Sequence, residues 1–283
     1  MIRPLSLRRV LLALLVLCLV AYGGGLVWLV ANETRIVFQG GRPLGQARPA
    51  APFEQIDLPR SDGARQFAFK MPHDGNADSL AWVLYLHGNA ATIGSRLNVS
   101  RCEHLRALGL NVLAVEYRGY GGLDGVPGEA AVTDDARAGY EYLRTTLHVP
   151  AGRIIIYGWS LGAAIAVDLA STVPSGAVVL EGAPASLVDI GQRQYPYVPV
   201  RLLMRNPFDS IPKVARIHAP LLFLHSPEDI VIPIAEGRRL FDAAPSPKTF
   251  VEIRGGHINS SEVDGTVFYG AIRAFLAHAH LLP

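Results

Sequence analysis

Ser160 lies between two glycines in the run Gly158-Trp159-Ser160-Leu161-Gly162. An apolar stretch, RIIIY, comes just before it, and AAIAVDLAS follows with helical spacing. A serine hydroxyl is a poor nucleophile until a base takes its proton and a third group orients that base. The chain supplies both further on, in the order serine, acid, histidine. Asp229 follows the apolar run LLFLH, and His257 follows KTFVEIR and a glycine pair. Glu228 and Asp209 are the other acids nearby. Of nine histidines, His257 alone lies beyond the acid and at a predicted strand end. The chemistry these residue types can perform together is acyl transfer through a serine ester.

Such chemistry needs donors for a developing oxyanion. A helix beginning just after Ser160 leaves its first N–H groups unpaired and aimed at the same place. Leu161 N–H is therefore one expected donor. The second is expected after an earlier strand, in His87-Gly88-Asn89-Ala90, with Asn89 N–H preferred and Ala90 N–H the alternative. The His87 imidazole reads as structural. The stretch YRGYG (117–121) follows another strand end and rims the same region. Tyr120 and Ala90 are accordingly expected on the substrate side, and Arg118 is expected to brace its loop through an ion pair.

The elements that must position these residues alternate. Strands are predicted over QFAFKM (66–71), AWVLYLH (81–87), NVLAVEY (111–117), RIIIYG (153–158), GAVVLEG (176–182), LLFLH (221–225) and KTFVEIR (248–254). Helices are predicted around 94–108, 133–147, 161–172, 233–243 and 265–280. Thr133 reads as an N-cap, with Asp134 and Asp135 in the first turn. Continuous apolar strands alternating with helices imply an α/β fold, a mostly parallel central sheet covered on both faces. The proline-rich stretch 184–218 breaks the rhythm and reads as a small cap. Tyr195, Tyr197 and Phe208 within it read as packing residues.

Composition narrows the function classes. The chain has 283 residues, 50% hydrophobic and 18% charged, with net charge +2. No block of like charge argues for nucleic acid. Two cysteines, Cys18 and Cys102, build neither a disulfide framework nor a cysteine metal site.

Val10 to Val30 carries no charged residue, and about 20 apolar residues span a bilayer. Trp28 suits an interfacial aromatic. Arg3, Arg8 and Arg9 favour a cytoplasmic N-terminus, partly offset by Arg35, Arg42 and Arg48 on the far side. Two other readings compete: a signal peptide cleaved after Ala21-Tyr22-Gly23, and a buried core helix. The anchor reading gives a cytoplasmic N-terminus (1–9), a transmembrane signal-anchor (10–30), a linker and lead-in (31–60) and a main domain (61–283). The main domain is then extracytoplasmic, periplasmic in a bacterium.

Taken in order, HGNA, YRGYG, GWSLG, HSPEDIVIP and GGHIN resemble the α/β-hydrolase superfamily, and more narrowly its membrane-anchored serine hydrolases. The resemblance runs from about Arg35 to the C-terminus. It implies Ser160 as nucleophile, Asp229 as triad acid, His257 as general base, and Asn89 and Leu161 N–H as the oxyanion hole, with no cofactor or metal. The expected substrate is a small-molecule or acylated, lipid-like ester or thioester. An amidase or peptidase of the same fold is the alternative. A non-catalytic binding protein on the same fold is disfavoured, because none of the three triad residue types is substituted.

Overall fold

The computed structural model describes residues 6–60, 63–73 and 80–282. Arg3 lies outside them, as does most of the expected 1–9 segment. Helix α1 (Leu7–Ala31) is long and apolar enough to cross a bilayer, and none of its side chains is buried. That overturns the core-helix reading. The helix runs unbroken through Gly23, Gly24 and Gly25. After Asn32 a short helix, α2 (Glu33–Val37), continues toward the main body.

The segment expected to be a linker and lead-in is packed against that body. Phe38 is buried and meets Phe208 ring to ring at 6.0 Å. Gly41 N–H donates to the Gly119 carbonyl, and Pro43 bridges Gly121. Side chains at Gly40 and Gly45 would collide with the main chain at Gly119 and Gly94. Glycine-rich composition thus marks close backbone contact here, not a free tether.

The sheet has eight strands: β1 (Glu54–Asp57), β2 (Phe67–Met71), β3 (Trp82–Leu86), β4 (Asn111–Val115), β5 (Ile154–Trp159), β6 (Ala177–Glu181), β7 (Leu221–His225) and β8 (Lys248–Glu252). Their spatial order is β1-β2-β4-β3-β5-β6-β7-β8. β1 and β2 run antiparallel at one edge, and β4 through β8 pair in parallel around β3. β1 went unforeseen because Ile56 is its one apolar residue, and an edge strand facing water needs few.

Among the described residues, nine further α-helices flank the sheet or end the chain. Before β8 come α3 (Arg96–Ala107), α4 (Glu129–Glu141), α5 (Leu161–Ala170), the cap helices α6 (Leu187–Gln194), α7 (Val200–Leu203) and α8 (Ile211–Val214), and α9 (Ile234–Ala243). After β8 come α10 (Ser260–Val263) and α11 (Gly265–His278). Side chains alternate across each central strand and feed two cores. Ile154 and Ile156 of β5 pack on the side of Ala136, Ile165 and Leu240; Ile155 and Tyr157 face Cys102, Phe268 and Ile272. This two-sided burial is what the continuous apolar runs require.

Helix α4 starts before the predicted cap. Gly128 precedes it, and Thr133 lies inside it. Its first N–H, from Glu129, is accepted by Asn206 Oδ1 of the cap segment at 2.7 Å. A distant side chain therefore replaces the local cap. Asp135 is a buried acceptor, not a first-turn acid: Arg118 holds it through N–H, Nε and a terminal nitrogen, and Arg60 pairs with it too.

Candidate active site

The strand β5 ends at Trp159 and α5 begins at Leu161, so Ser160 takes the whole turn. Its backbone is at φ 57°, ψ −119°, a conformation most side chains avoid. The two glycines make the turn possible by contact. A Cβ at Gly158 would overlap the Gly162 carbonyl, and one at Gly162 would overlap the Leu86 carbonyl of β3. Ser160 N–H donates to the Glu181 carbonyl at 2.8 Å, pinning the turn to β6. The hydroxyl is thereby held beyond the carboxyl ends of the parallel strands, where sheets of this type bind ligands.

His257 and Asp229 meet Ser160 there. The Ser160 hydroxyl lies 2.8 Å from His257 Nε2, and His257 Nδ1 lies 2.6 Å from Asp229 Oδ2. Asp229 Oδ1 accepts from Val231 N–H at 2.9 Å and Ile232 N–H at 2.8 Å. These bonds fix the carboxylate within its own loop. Asp229 does not cap α9, whose N-cap is Pro233. Glu228 and Asp209, the other candidate acids, are exposed. Nearby, burial pushes the His225 imidazole below its ordinary 6.5, so it stays neutral and donates from Nε2 to the Ile232 carbonyl at 2.8 Å. A neutral His225 places no cation beside the Asp229 carboxylate.

The loop after β3 passes close to the serine. A Cβ on Gly88 would sit 3.2 Å from Ser160 Cβ. Asn89, Ser160 and Leu161 border one cavity. The Asn89 side chain is a junction: its Nδ2 donates to Val37 O at 2.6 Å, and its Oδ1 accepts from Gln39 N–H, Ala90 N–H and the Tyr120 hydroxyl. His87 is buried beneath, stacked on Tyr117 at 4.2 Å, with Nε2 on Glu116 Oε1 at 2.8 Å.

Tyr120 and Ala90, expected on the substrate side, do not border the cavity. Tyr120 is buried and spends its hydroxyl on Asn89. Phe208 packs in the core, Tyr195 borders the cavity, and Tyr197 is 87% exposed, so packing describes only the first of these three.

The cavity measures about 280 Å³ and is mostly apolar. Leu187, Ile190 and Val198 of the cap form one side. Leu29 and Val30 of α1, with Ile36 and Val37 of α2, form another. Glu33 also borders it, with its carboxylate occupied. Oε1 accepts from Arg205 N–H, Asn206 N–H and Asn206 Nδ2, and Oε2 from Arg205 Nε at 2.8 Å. This latch was invisible as a site in the sequence. The one signal was an acid placed directly after the apolar run, the first acid in the chain.

A second buried cluster also supports the site. Arg101 pairs in bidentate fashion with Glu181 at 3.0 and 2.8 Å, and its guanidinium lies over the Trp159 ring. The same Arg101 donates to the Ile258 carbonyl, and Trp159 Nε1 to the His257 carbonyl. The loop carrying His257 is therefore tied to the element carrying Ser160.

A mostly parallel eight-stranded sheet, helices on both faces and a serine at the strand-to-helix elbow define the α/β-hydrolase fold. The sequence profile described as "Alpha/beta hydrolase family" matches residues 83–252, and the chain belongs to that family. It is 34% identical over 282 residues to the uncharacterized protein Rv2307c of Mycobacterium tuberculosis, covering 98% of this chain and 99% of that one. It is 30% identical over 185 residues to the lysophosphatidylserine lipase ABHD12 of Danio rerio, a match covering 59% of this chain and 48% of that protein. Among solved structures, the Pyrococcus furiosus esterase Pf2001 superposes with a TM-score of 0.68 at 18% identity, covering 84% of this chain and 98% of that one.

Proposed function

We propose that the protein is a membrane-anchored serine hydrolase that cleaves carboxylic ester or thioester bonds through a Ser160 acyl-enzyme. The relay from Ser160 Oγ to His257 Nε2 to Asp229 Oδ2, at 2.8 and 2.6 Å, carries the reading.

Ser160 Oγ attacks the acyl carbon while His257 Nε2 takes the hydroxyl proton. Asp229 holds Nδ1–H, fixes the tautomer and offsets the charge of the imidazolium. The oxyanion accepts from Leu161 N–H and Asn89 N–H. His257 then gives its proton to the departing alkoxide or thiolate. In the second half, His257 takes a proton from water, hydroxide adds to the acyl carbon, and Ser160 leaves with the proton from His257.

Helix α1 supports anchoring by a single span, and the arginines at its start, Arg8 and Arg9, favour a hydrolase domain outside the cytoplasm. An apolar cavity beside that helix favours an acylated, lipid-like substrate over a peptide. The lipase named among the relatives supports the same choice. The test is turnover of a p-nitrophenyl ester and the matching anilide by wild type and Ser160→Ala. Wild type should cleave the ester in preference to the anilide, and Ser160→Ala should lose at least about a thousandfold in kcat. An unchanged rate in Ser160→Ala would overturn the reading.

A further inference from the structure

About a quarter of the residues that line the cavity come from outside the hydrolase fold. Leu29 and Val30 belong to the last turn of α1, and Ile36 and Val37 to α2. A tether needs no such contacts. Here the junction is locked. The Glu33 carboxylate takes four hydrogen bonds from Arg205 and Asn206, and Arg205 also donates to the Val30 carbonyl at 2.8 Å. That last bond places a cation on the carbonyl end of α1, where the helix dipole favours it. Because its carboxylate is consumed, Glu33 offers no free charge to the cavity.

A contact further back sets the depth. The Tyr22 hydroxyl donates to the Tyr197 carbonyl at 2.7 Å. Tyr22 precedes Ala31 by roughly 13 Å along the helix axis at 1.5 Å per residue. The cap segment therefore lies beside the part of α1 proposed to cross lipid, not beyond it. Its Tyr197 and Leu202 are 87% and 84% exposed, large apolar side chains with no protein cover. Tyr195 and Val198, from the same segment, border the cavity together with Leu29 and Val30.

We infer that the end of α1 and α2 form the chain-selecting wall of the acyl subsite, and that the substrate's acyl chain reaches it from the bilayer, between α1 and the 195–204 cap segment. The inference rests on Ser160 being the nucleophile. On this account the helix is part of the enzyme's specificity, with Leu29 and Ile36 as the determinants.

The experiment uses the full chain in phosphatidylcholine nanodiscs and a p-nitrophenyl ester series from acetate to palmitate. Leu29→Trp and Ile36→Trp each fill the apolar end. Each should lower the long-chain to short-chain ratio of kcat/KM by about tenfold or more. Leu29→Ala, which enlarges the cavity without crowding it, should move the optimum to a longer chain. Val126→Trp, exposed on the loop after β4 and away from the cavity, should keep the wild-type ratio. Ratios unchanged in all three cavity variants would overturn the inference and leave α1 as a tether. The direction of approach has its own readout. Leu202→Trp in nanodiscs made with bromine-labelled phosphatidylcholine should add a quenched component to the emission, and an unquenched component would overturn approach from lipid. A wild type that cleaves no ester of any length would sink the nucleophile reading itself, a result distinct from an unchanged ratio.

Discussion

The side-chain amide of Asn89 donates to the main-chain carbonyl of Val37 at 2.6 Å. Through this bond the loop beside Ser160 is joined to the segment that leaves the apolar helix. Gln39 N–H returns a bond to Asn89 Oδ1 at 2.9 Å, so the junction is double. The residues before the hydrolase fold thus help to set the position of the proposed oxyanion donor.

Asn89→Ala should uncouple that junction. It leaves Val37 O, Gln39 N–H and the Tyr120 hydroxyl without their partner. We expect kcat to fall by about tenfold or more, short of the ~100-fold loss typical when a donor is deleted outright, because the Asn89 N–H itself remains. Tyr120→Phe removes a single bond and should cost about 1 kcal/mol of stability with little change in kcat. Steady-state kinetics and thermal melts of the two variants check both expectations.

Glu33 gives a pH signature. Burial alone would raise its carboxyl, but the hydrogen bonds from Arg205 and Asn206 outweigh burial and hold it below the ordinary 4.5. A group with a depressed folded-state value stabilises the protein above its unfolded value and loses that contribution as pH falls through the folded one. The latch should therefore be intact at neutral pH and weaken in acid below 4.5. Glu33→Gln should lower the neutral-pH melting temperature and flatten its acid decline. A parallel decline in both proteins would contradict the role given to the carboxylate.

Gly158→Ala and Gly162→Ala should each destabilise severely, by about 3 kcal/mol or more, because the added methyl meets main-chain atoms that cannot rotate away. Denaturant melts of the purified variants measure this directly. A loss under about 1 kcal/mol would show that the elbow relaxes more than its packing implies.

The Arg101–Glu181 pair is buried on both sides. Glu181→Gln leaves a guanidinium without its counter-charge and should cost about 3–5 kcal/mol. Replacing both residues with methionine should cost less than the single change, since it removes both charges together. The double variant should still lose activity, because Arg101 also braces the Ile258 carbonyl beside His257. Paired melts and ester kinetics separate the two effects.

The strands β2 to β7 were readable because each buries both faces and so is written as an apolar run; β8, at the sheet edge, is only partly buried. That Ser160, Asp229 and His257 come together was readable for a related reason: each follows a strand, where a parallel sheet presents its loops. What escaped notice depends on partners remote in sequence. The α4 start was misplaced because its cap, Asn206, lies 77 residues away. Whether the 31–60 stretch would pack could not be read, because glycine and proline serve a free tether and a closely packed strap equally well. Tyr120 was expected to face substrate from its place near a strand end, yet its direction is set by Asn89, and no local pattern encodes that. Glu33 stood out in the sequence only as an isolated acid; its four bonds come from residues about 170 positions later.

The most direct measurement is labelling by a fluorophosphonate, which reacts with an activated serine, followed by mass spectrometry of the adduct. The account predicts a single modified residue, Ser160, in the folded wild type. It predicts no adduct in Ser160→Ala and a strongly slowed reaction in His257→Ala. Folded wild type that takes no label, or an adduct on another serine, would contradict the claim that Ser160 is the nucleophile.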